Sequence, residues 1–354
     1  MSKREINPSA AANHGVLVIG GGISGITEAL ELAQMGLSVT VIEKEGQIGG
    51  LAACFCCKAT DACRKCFACV VDKRIRDIRK RADISVLTKT ELVRFGGEPG
   101  RFQATLSQDG KTLELDFAAV VVATGIEPFD ARLKGEYGYG QIKNVITARD
   151  LEKMLREQGV LTRPSDGQLP EKLAFIQCVG SRDQSLGNLY CSQVCCAYAL
   201  RMISLIRHTY PDIDITIYYM DIQPAGVHFA EFLSHVREDK KIRFVRSLPS
   251  KVYHVPKNDA VKIRFADPAE GEVREELFDM LVLSVGMTLP GETKSLAHIL
   301  GLTWDKEGFL DISDRKKGLF VTGACSGPKD IEHSIIQAKS TAQYVYQYVT
   351  ESKS

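Results

Sequence analysis

Near its start the chain reads Val16-Leu17-Val18-Ile19, then Gly20-Gly21-Gly22-Ile23-Ser24-Gly25, and no other stretch narrows the fold so sharply. The apolar run suits a buried strand, and Ile26 to Met35 carries apolar residues at helical spacing. Gly20, Gly22 and Gly25 fit G-x-G-x-x-G. The first glycine permits a tight turn, the second lets the backbone approach a pyrophosphate, and the third lets the helix pack close on the strand. Free amides at the helix start, where Ile23 and Ser24 stand, favour phosphate. Val39 to Ile42 supplies a second strand ending at Glu43, which lies 18 residues beyond Gly25 and can accept from ribose hydroxyls. Lys44 and Gly50 follow and are counted with the same site. The competing reading is a tight strand–helix turn that holds nothing.

The rest of the chain is ordinary in bulk and unusual in its thiols. Its 354 residues are enough for about two domains, with 44% hydrophobic and 25% charged residues. A net charge of +1 advertises neither a nucleic-acid nor a membrane-surface partner, and no apolar run is long enough to insert in a membrane. The polar start MSKREINPSAAANHG lacks a signal-peptide core, so a cytoplasmic location is expected, where disulfide frameworks are rare. The 11 cysteines are clustered: six from Cys54 to Cys69, four from Cys178 to Cys196, and Cys325 alone. Such clusters point to metal or redox chemistry more often than to packing.

Strand and turn signals divide the chain into an α/β protein with parallel sheets and small antiparallel meanders. Residues 1–150 read as the first part of a dinucleotide-binding domain, with a cysteine-rich insertion at 44–82 and strand signals Ile84–Leu87, Leu92–Phe95, Phe102–Leu106 and Leu113–Leu115 read as a meander. A polar stretch from Pro164 to Pro170 marks a boundary. Residues 165–285 form a second Rossmann-like domain, in which "LVLSVG" echoes "VVVATG". Residues 286–354 return to the first domain and end in a long helix.

"VVVATGIEP" and "GLFVTGACSG" have the form and order seen in flavoproteins of the thioredoxin reductase and glutathione reductase type, with two dinucleotide-binding domains. That resemblance implies FAD. It implies that Ala123, Thr124 and Gly125 pass close to the cofactor and that the Gly323 turn faces the flavin ring. Most such proteins carry an acidic residue where this chain has Ala324.

Those flavoproteins open their second domain with another glycine turn for NAD(P)H. Here "LAFIQCVG" runs into "SRDQSLGNLYCSQVCC", where only Gly180 and Gly187 remain. No pyrophosphate cradle is expected there. The spacing Cys178-x12-Cys191-x3-Cys195-Cys196 places four thiols at a strand end and a helix start, where the helix dipole favours thiolates. Four thiolates suit zinc or an iron–sulfur cluster, and a flavin in the same chain favours the cluster. Buried structural cysteines are the bland alternative.

Taken together, "QCVGSRD…YCSQVCC" and "GACSGPKDI" resemble the FAD-binding A subunit of heterodisulfide reductase, from about Gly15 to the C-terminal helix. The resemblance implies a [4Fe–4S] cluster on Cys178, Cys191, Cys195 and Cys196 near the flavin. This short form looks like the A-type component of heterodisulfide reductase-like complexes of sulfur oxidisers, and the flavoprotein of a quinone-interacting oxidoreductase is a neighbouring relative. It further implies B- and C-like partner subunits and a homodimer.

Cys54, Cys56, Cys57, Cys63, Cys66 and Cys69 keep three readings open: a second cluster, a thiol patch activated by Lys58, Arg64 and Lys65, or idle surface thiols. Lys329 stands with Asp330 and Ile331 at the start of the last helix, and the resemblance places its ammonium beside the flavin as the candidate catalytic group. Asp330 could equally be a helix cap. His208, His228 and His235 show no ligand spacing, and Cys325 reads as structural. Two rival functions are a free-standing NAD(P)H-dependent disulfide reductase acting through Cys63 and Cys66, and a zinc-holding flavin-binding scaffold.

Overall fold

The computed structural model describes residues 15–223, 229–311 and 317–352. The polar N-terminal stretch through residue 14 and His228 lie outside the described residues.

In chain order, the first unit begins with β1 (Val16–Ile19), α1 (Ile23–Gln34), β2 (Val39–Glu43), α2 (Ala68–Ile78) and β3 (Ile84–Thr88). It continues through β4 (Thr90–Glu98), β5 (Arg101–Gln108), β6 (Lys111–Phe117) and β7 (Ala119–Val122). After the short β8 (Glu127–Pro128) the second unit follows, with β9 (Val145–Thr147), α3 (Ala148–Glu157), β10 (Lys172–Val179), α4 (Cys195–Thr209), β11 (Asp214–Tyr218), α5 (Phe229–Glu238) and β12 (Ile242–Val245). Its remaining strands are β13 (Lys251–Val255), β14 (Ala260–Ala266), β15 (Val273–Phe278) and β16 (Met280–Val285). Beyond β17 (Met287–Thr288) the chain returns to the first unit with α6 (Gly291–Leu300), β18 (Leu319–Val321) and α7 (Ile331–Glu351).

The first unit is built on a five-stranded parallel sheet in the order β18-β7-β1-β2-β3. Val16, Leu17, Val18 and Val120 to Val122 are fully buried, as expected of central parallel strands covered on both faces. The antiparallel trio β4-β5-β6 packs Phe102, Ala104, Leu106 and Phe117 into the same core. Ile84–Leu87, grouped by sequence with this meander, instead pairs in parallel with β2.

The second unit repeats the plan: a parallel sheet β12-β11-β10-β16-β9 and an antiparallel trio β13-β14-β15. One face of the sheet packs on α4 through Leu173, Phe175, Met280 and Val282, and the other buries Ala174, Ile176, Leu281 and Leu283. The first unit comprises residues 1–53, 67–127 and 289–354, and the second 54–66 and 128–288. By sequence pattern the first part ends at 150 and the second domain opens at 165. Val145–Thr147 pairs with β16, which draws this segment into the second unit. The same grouping takes Cys54–Cys66 out of the insertion at 44–82 and into the second unit.

A buried ion pair fastens that cysteine-rich segment. Lys58 and Glu152 are each only 2% exposed and lie 2.8 Å apart. Glu152 also accepts from the Cys56 backbone N–H and the Tyr198 hydroxyl, while Lys58 donates to the Cys56 carbonyl at 3.1 Å and lies over the Phe55 and Tyr198 rings. Farther along, the Arg201 guanidinium donates to the Arg64 carbonyl at 2.9 Å and the Lys65 carbonyl at 3.2 Å. Removing one partner of a buried pair strands the other charge. Lys58→Met is therefore expected to lower unfolding free energy by about 3–5 kcal/mol, and Glu152→Gln in the same chain to recover part of it, as read from urea midpoints.

Glu28 on α1 is fully buried, and neither carboxylate oxygen has a hydrogen-bond partner among the described residues. Burial, reinforced by Glu31, holds its carboxyl well above the usual range. A carboxyl raised by folding keeps its proton in the folded state after the unfolded chain has lost it, so stability falls as pH rises above about 4.3. Glu28→Gln should gain on the native chain between pH 4 and pH 8. An equal denaturation margin at both pH values would contradict this.

Candidate cofactor sites

The turn between β1 and α1 is set by steric closeness. A Cβ on Gly25 would stand 1.9 Å from the Gly20 carbonyl oxygen, so only glycine lets α1 start so near the strand end. Gly20 has φ +107°, and a Cβ there would meet the Ala123 carbonyl oxygen at 2.4 Å. Gly22 differs: nothing lies within 4 Å of the Cβ position, and it caps α1 with no side-chain hydrogen bond. Bare N-terminal amides beside open space fit the pyrophosphate of a dinucleotide.

Neighbouring residues close round this turn. Glu43, buried at the end of β2, accepts from the Gly21 N–H at 2.8 Å and the Glu45 N–H at 2.9 Å. It therefore fixes the turn as well as offering its remaining lone pairs. Gly49 donates to the Gly21 carbonyl at 2.7 Å, and a Cβ on Gly50 would lie 3.1 Å from the Gly22 Cα. Lys44 forms an ion pair with Glu292 on α6. Thr124 lies beside the buried Cys325 thiol, and Gly125 has φ +70° with open space at its Cβ position.

The turn after β18 also converges here. Gly323 has φ +79°, and its Cβ would fall 2.2 Å from the Ser24 hydroxyl on the first turn of α1. Its N–H donates to Gln337 at 2.9 Å. Cys325 donates to the Thr322 carbonyl at 3.1 Å and is fully buried, which fits the structural reading. Lys329 Nζ donates to Ser326 Oγ at 3.2 Å and the Gly327 carbonyl at 3.1 Å, and burial holds its ammonium below the usual lysine range. Asp330 caps α7, accepting from the His333 N–H at 2.8 Å. Ile331 packs with Ile23, Ala52 and Val71, and Ala324 offers no carboxylate. A larger residue at 323 would be driven against Ser24 and part this turn from the start of α1. Gly323→Val is expected to lower the flavin content per purified chain severalfold, measured by absorbance after heat release, whereas the exposed Glu332→Gln should leave it unchanged.

In the second unit, the corresponding strand end is filled. Gly180 has φ +80°, and a Cβ there would strike the Phe129 ring at 2.1 Å. Just before it β10 breaks register between Ile176 and Val179, and Cys178 takes φ +62°. This bulge turns Cys178 towards Cys195 and Cys196, the first two residues of α4, in one buried cluster. Cys195 lies beside both neighbours, with one thiol proton to give to either. Interaction with Cys195 lowers the Cys178 thiol and brings Cys196 down to about 7, while the nearness of Cys178, then of Cys196, with burial, drives Cys195 well above its ordinary range. The N-terminus of α4 adds a favourable field for thiolate. Cys191 is half-buried, and burial raises its thiol.

Three of the four predicted thiols thus pack against one another, with Cys191 flanking them. Among the described residues no set of three or more Cys, His, Asp or Glu is arranged to hold a metal ion. The donor set, all thiols at a helix start, fits an iron–sulfur group in its chemistry. Several residues that organise it carry no sequence signal. Arg182 pairs with Asp221 in a two-pronged ion pair, and Asp221 offers its carbonyl to Cys196 at 3.9 Å. Ser192, fully buried, accepts from the Met287 N–H at 3.0 Å.

The six cysteines of the first group are divided between the two units. Cys54, Cys57 and Cys63 are exposed and Cys66 half-buried in the second unit, while Cys69 is exposed on α2 in the first. Lys58, expected to activate these thiols, is spent on Glu152. Burial and the Glu152 carboxylate instead push Cys56 up to about 12.

Residues 14–176 match the family described as pyridine nucleotide-disulphide oxidoreductase. Along 92% of its length the chain is 30% identical to an iron-sulfur A subunit (form 2) of the CoB–CoM heterodisulfide reductase of Methanopyrus kandleri, of which it covers 63%. It is 29% identical over the same share to the A subunit of the H2:CoB-CoM heterodisulfide, ferredoxin reductase of Methanothermobacter marburgensis, of which it covers 62%. The chain is similar along most of its length to heterodisulfide reductase A subunits. It spans just over three-fifths of the length of those curated relatives. In fold it is similar to T. acidophilum thioredoxin reductase, with a TM-score of 0.63 at 14% identity over 96% of this chain and 98% of that one. That likeness establishes a thioredoxin reductase-like α/β fold. No helix among the described residues is long and apolar enough to cross a membrane.

Proposed function

We propose that the chain is a flavin-dependent oxidoreductase, the electron-transfer subunit of a heterodisulfide reductase-like complex. In this reading it holds FAD on the first unit and one [4Fe–4S] cluster on Cys178, Cys191, Cys195 and Cys196. It works in the cytoplasm, in sulfur metabolism, as a homodimer with B- and C-like subunits that carry the dithiol chemistry. One observation carries the proposal: a dinucleotide turn with bare amides in the first unit is paired with an all-thiol strand end in the second, where a second glycine turn would stand.

When bound, FAD supplies two-electron storage and the cluster one-electron exchange. The protein's own groups supply the rest. The α1 amides and the open Gly22 position receive the pyrophosphate, and Glu43 both fixes the turn and accepts from a ribose. Lys329 keeps a proton at Nζ against burial, clamped by Ser326 and Gly327. Negative charge developing beside it strengthens its hold on that proton. The α4 N-terminus favours thiolate in this cluster, and the Cys178 and Cys196 thiols lie below their ordinary range.

The exposed Cys63 favours a second reading, a free-standing NAD(P)H-dependent disulfide reductase acting through Cys63 and Cys66. Iron, sulfide, zinc and flavin per chain in anaerobically purified protein separate the two. About four irons per flavin, lost in Cys195→Ser, is the expected result. Iron-free protein whose flavin NADPH bleaches rapidly would leave the free-standing reductase in front, and stoichiometric zinc would favour a scaffold.

A further inference from the structure

Directly beneath the cysteine cluster the second unit buries polar atoms that nothing satisfies. Gln177 is 3% exposed, Ser181 1% and Ser284 2%. Gln177 Oε1, Ser181 Oγ and Ser284 Oγ are all without a hydrogen-bond partner among the described residues. A polar group left unpaired in a core is destabilising, so three on one face call for a shared partner.

Strand geometry fixes where they face. Along β16, Met280 and Val282 belong to the core under α4 that contains Cys178, Cys195 and Cys196, while Leu281 and Leu283 belong to the opposite core. Ser284 follows the alternation onto the α4 face. On β10 the same alternation puts Gln177 on the face of Leu173 and Phe175. The register pairs Phe175 with Val282 and Ile176 with Leu283, then shifts and resumes at Val179 with Val285, so Gln177 and Cys178 together stand opposite Ser284. The bulge at Cys178 then places two successive residues, Gln177 and Cys178, towards α4. Ser181 closes the turn, its N–H donating to the Cys178 carbonyl at 3.1 Å. A Cβ on Gly286 would touch Ser192 Oγ at 2.8 Å and Ser181 Oγ at 3.3 Å, so the Ser181 hydroxyl also borders the residue next to Cys191. Carboxyl ends of parallel strands are where α/β sheets receive ligands.

We propose that Ser284 and Ser181, assisted by the Gln177 amide, form a buried hydrogen-bonding shell that donates to the sulfur atoms of the group held by the cysteines and sets its reduction potential. The inference rests on the iron–sulfur reading above and names the residues that would tune it. Thiolate and sulfide are acceptors, and hydroxyl protons are the donors unspent in this pocket. The Gln177 amide can present its N–H side by rotating, since its oxygen is unengaged. Donors aimed at sulfur stabilise the reduced, more negative state more than the oxidised one and so raise the potential.

The test is a redox titration followed by electron paramagnetic resonance on the anaerobic protein, with iron per chain measured on each sample. Ser284→Ala and Ser181→Ala should keep their iron and each shift the midpoint downwards. The expected size is about a tenfold fall in the reduced-to-oxidised ratio at fixed poise, or about 59 mV for a one-electron couple. Ser284→Thr, which keeps the hydroxyl, should restore the native value. Leu281→Ala, on the opposite face, should lower stability without moving the potential. Iron-loaded Ser284→Ala and Ser181→Ala proteins with native midpoints would overturn this inference and leave the iron–sulfur reading standing. A native protein without iron would overturn both.

Discussion

The closeness of backbone to backbone at the start of α1 governs the first unit. Gly25 lets the helix begin against the Gly20 carbonyl, at a separation that leaves no room for a single methyl group. That approach aligns the free amides of the helix with the ends of β1 and β2, and everything else in the site is arranged around the result. Glu43 ties down Gly21, Gly49 bonds back to it, and Gly323 sits against Ser24 because it has no side chain in the way. Van der Waals exclusion is steep, so this constraint has no gradual version. The turn closes with glycine or the strand and helix move apart.

The second unit starts from the same strand–helix–strand plan and arrives at different chemistry. Its turn is not opened by glycines but bulged at Cys178, and the space a phosphate would need is taken by Phe129 against Gly180. What converges at the start of α4 is sulfur. A helix N-terminus favours negative charge whether that charge is a phosphate or a thiolate, so one feature of the fold serves both units with different ligands. The Arg182–Asp221 pair and Ser192 hold the surrounding loops in place. The cysteine-rich segment is held separately, by Lys58 and Glu152, and its thiols therefore differ: Cys56 is locked in a suppressed state, while Cys57 and Cys63 are open to solvent.

Much of this was legible because it depends on local pattern. The glycine spacing, the apolar runs of β1, β7, β10 and β16, and the repetition between the two halves are periodicities of a few residues. Boundaries were less so. Ile84–Leu87 looks like the edge of a meander but is a parallel strand, and Val145–Thr147 falls in the second unit, because partner choice between strands is decided by distant residues. Lys58 shows the same limit. Beside cysteines in sequence it reads as an activating charge, yet its partner is Glu152, 94 positions away, and at Cys56 burial and that carboxylate outweigh its pull.

By itself, then, the sequence determined the class of fold and the glycine turn after β1, since each follows from residues whose spacing is set by a single strand, turn or helix. Tertiary structure alone decided which of the Cys178, Cys191, Cys195 and Cys196 thiols are buried together, which strand-end side chains are buried without partners, and how the first cysteine group divides between the units. Those outcomes turn on burial and on contacts across long separations, and both are properties of the packed chain, not of any segment within it.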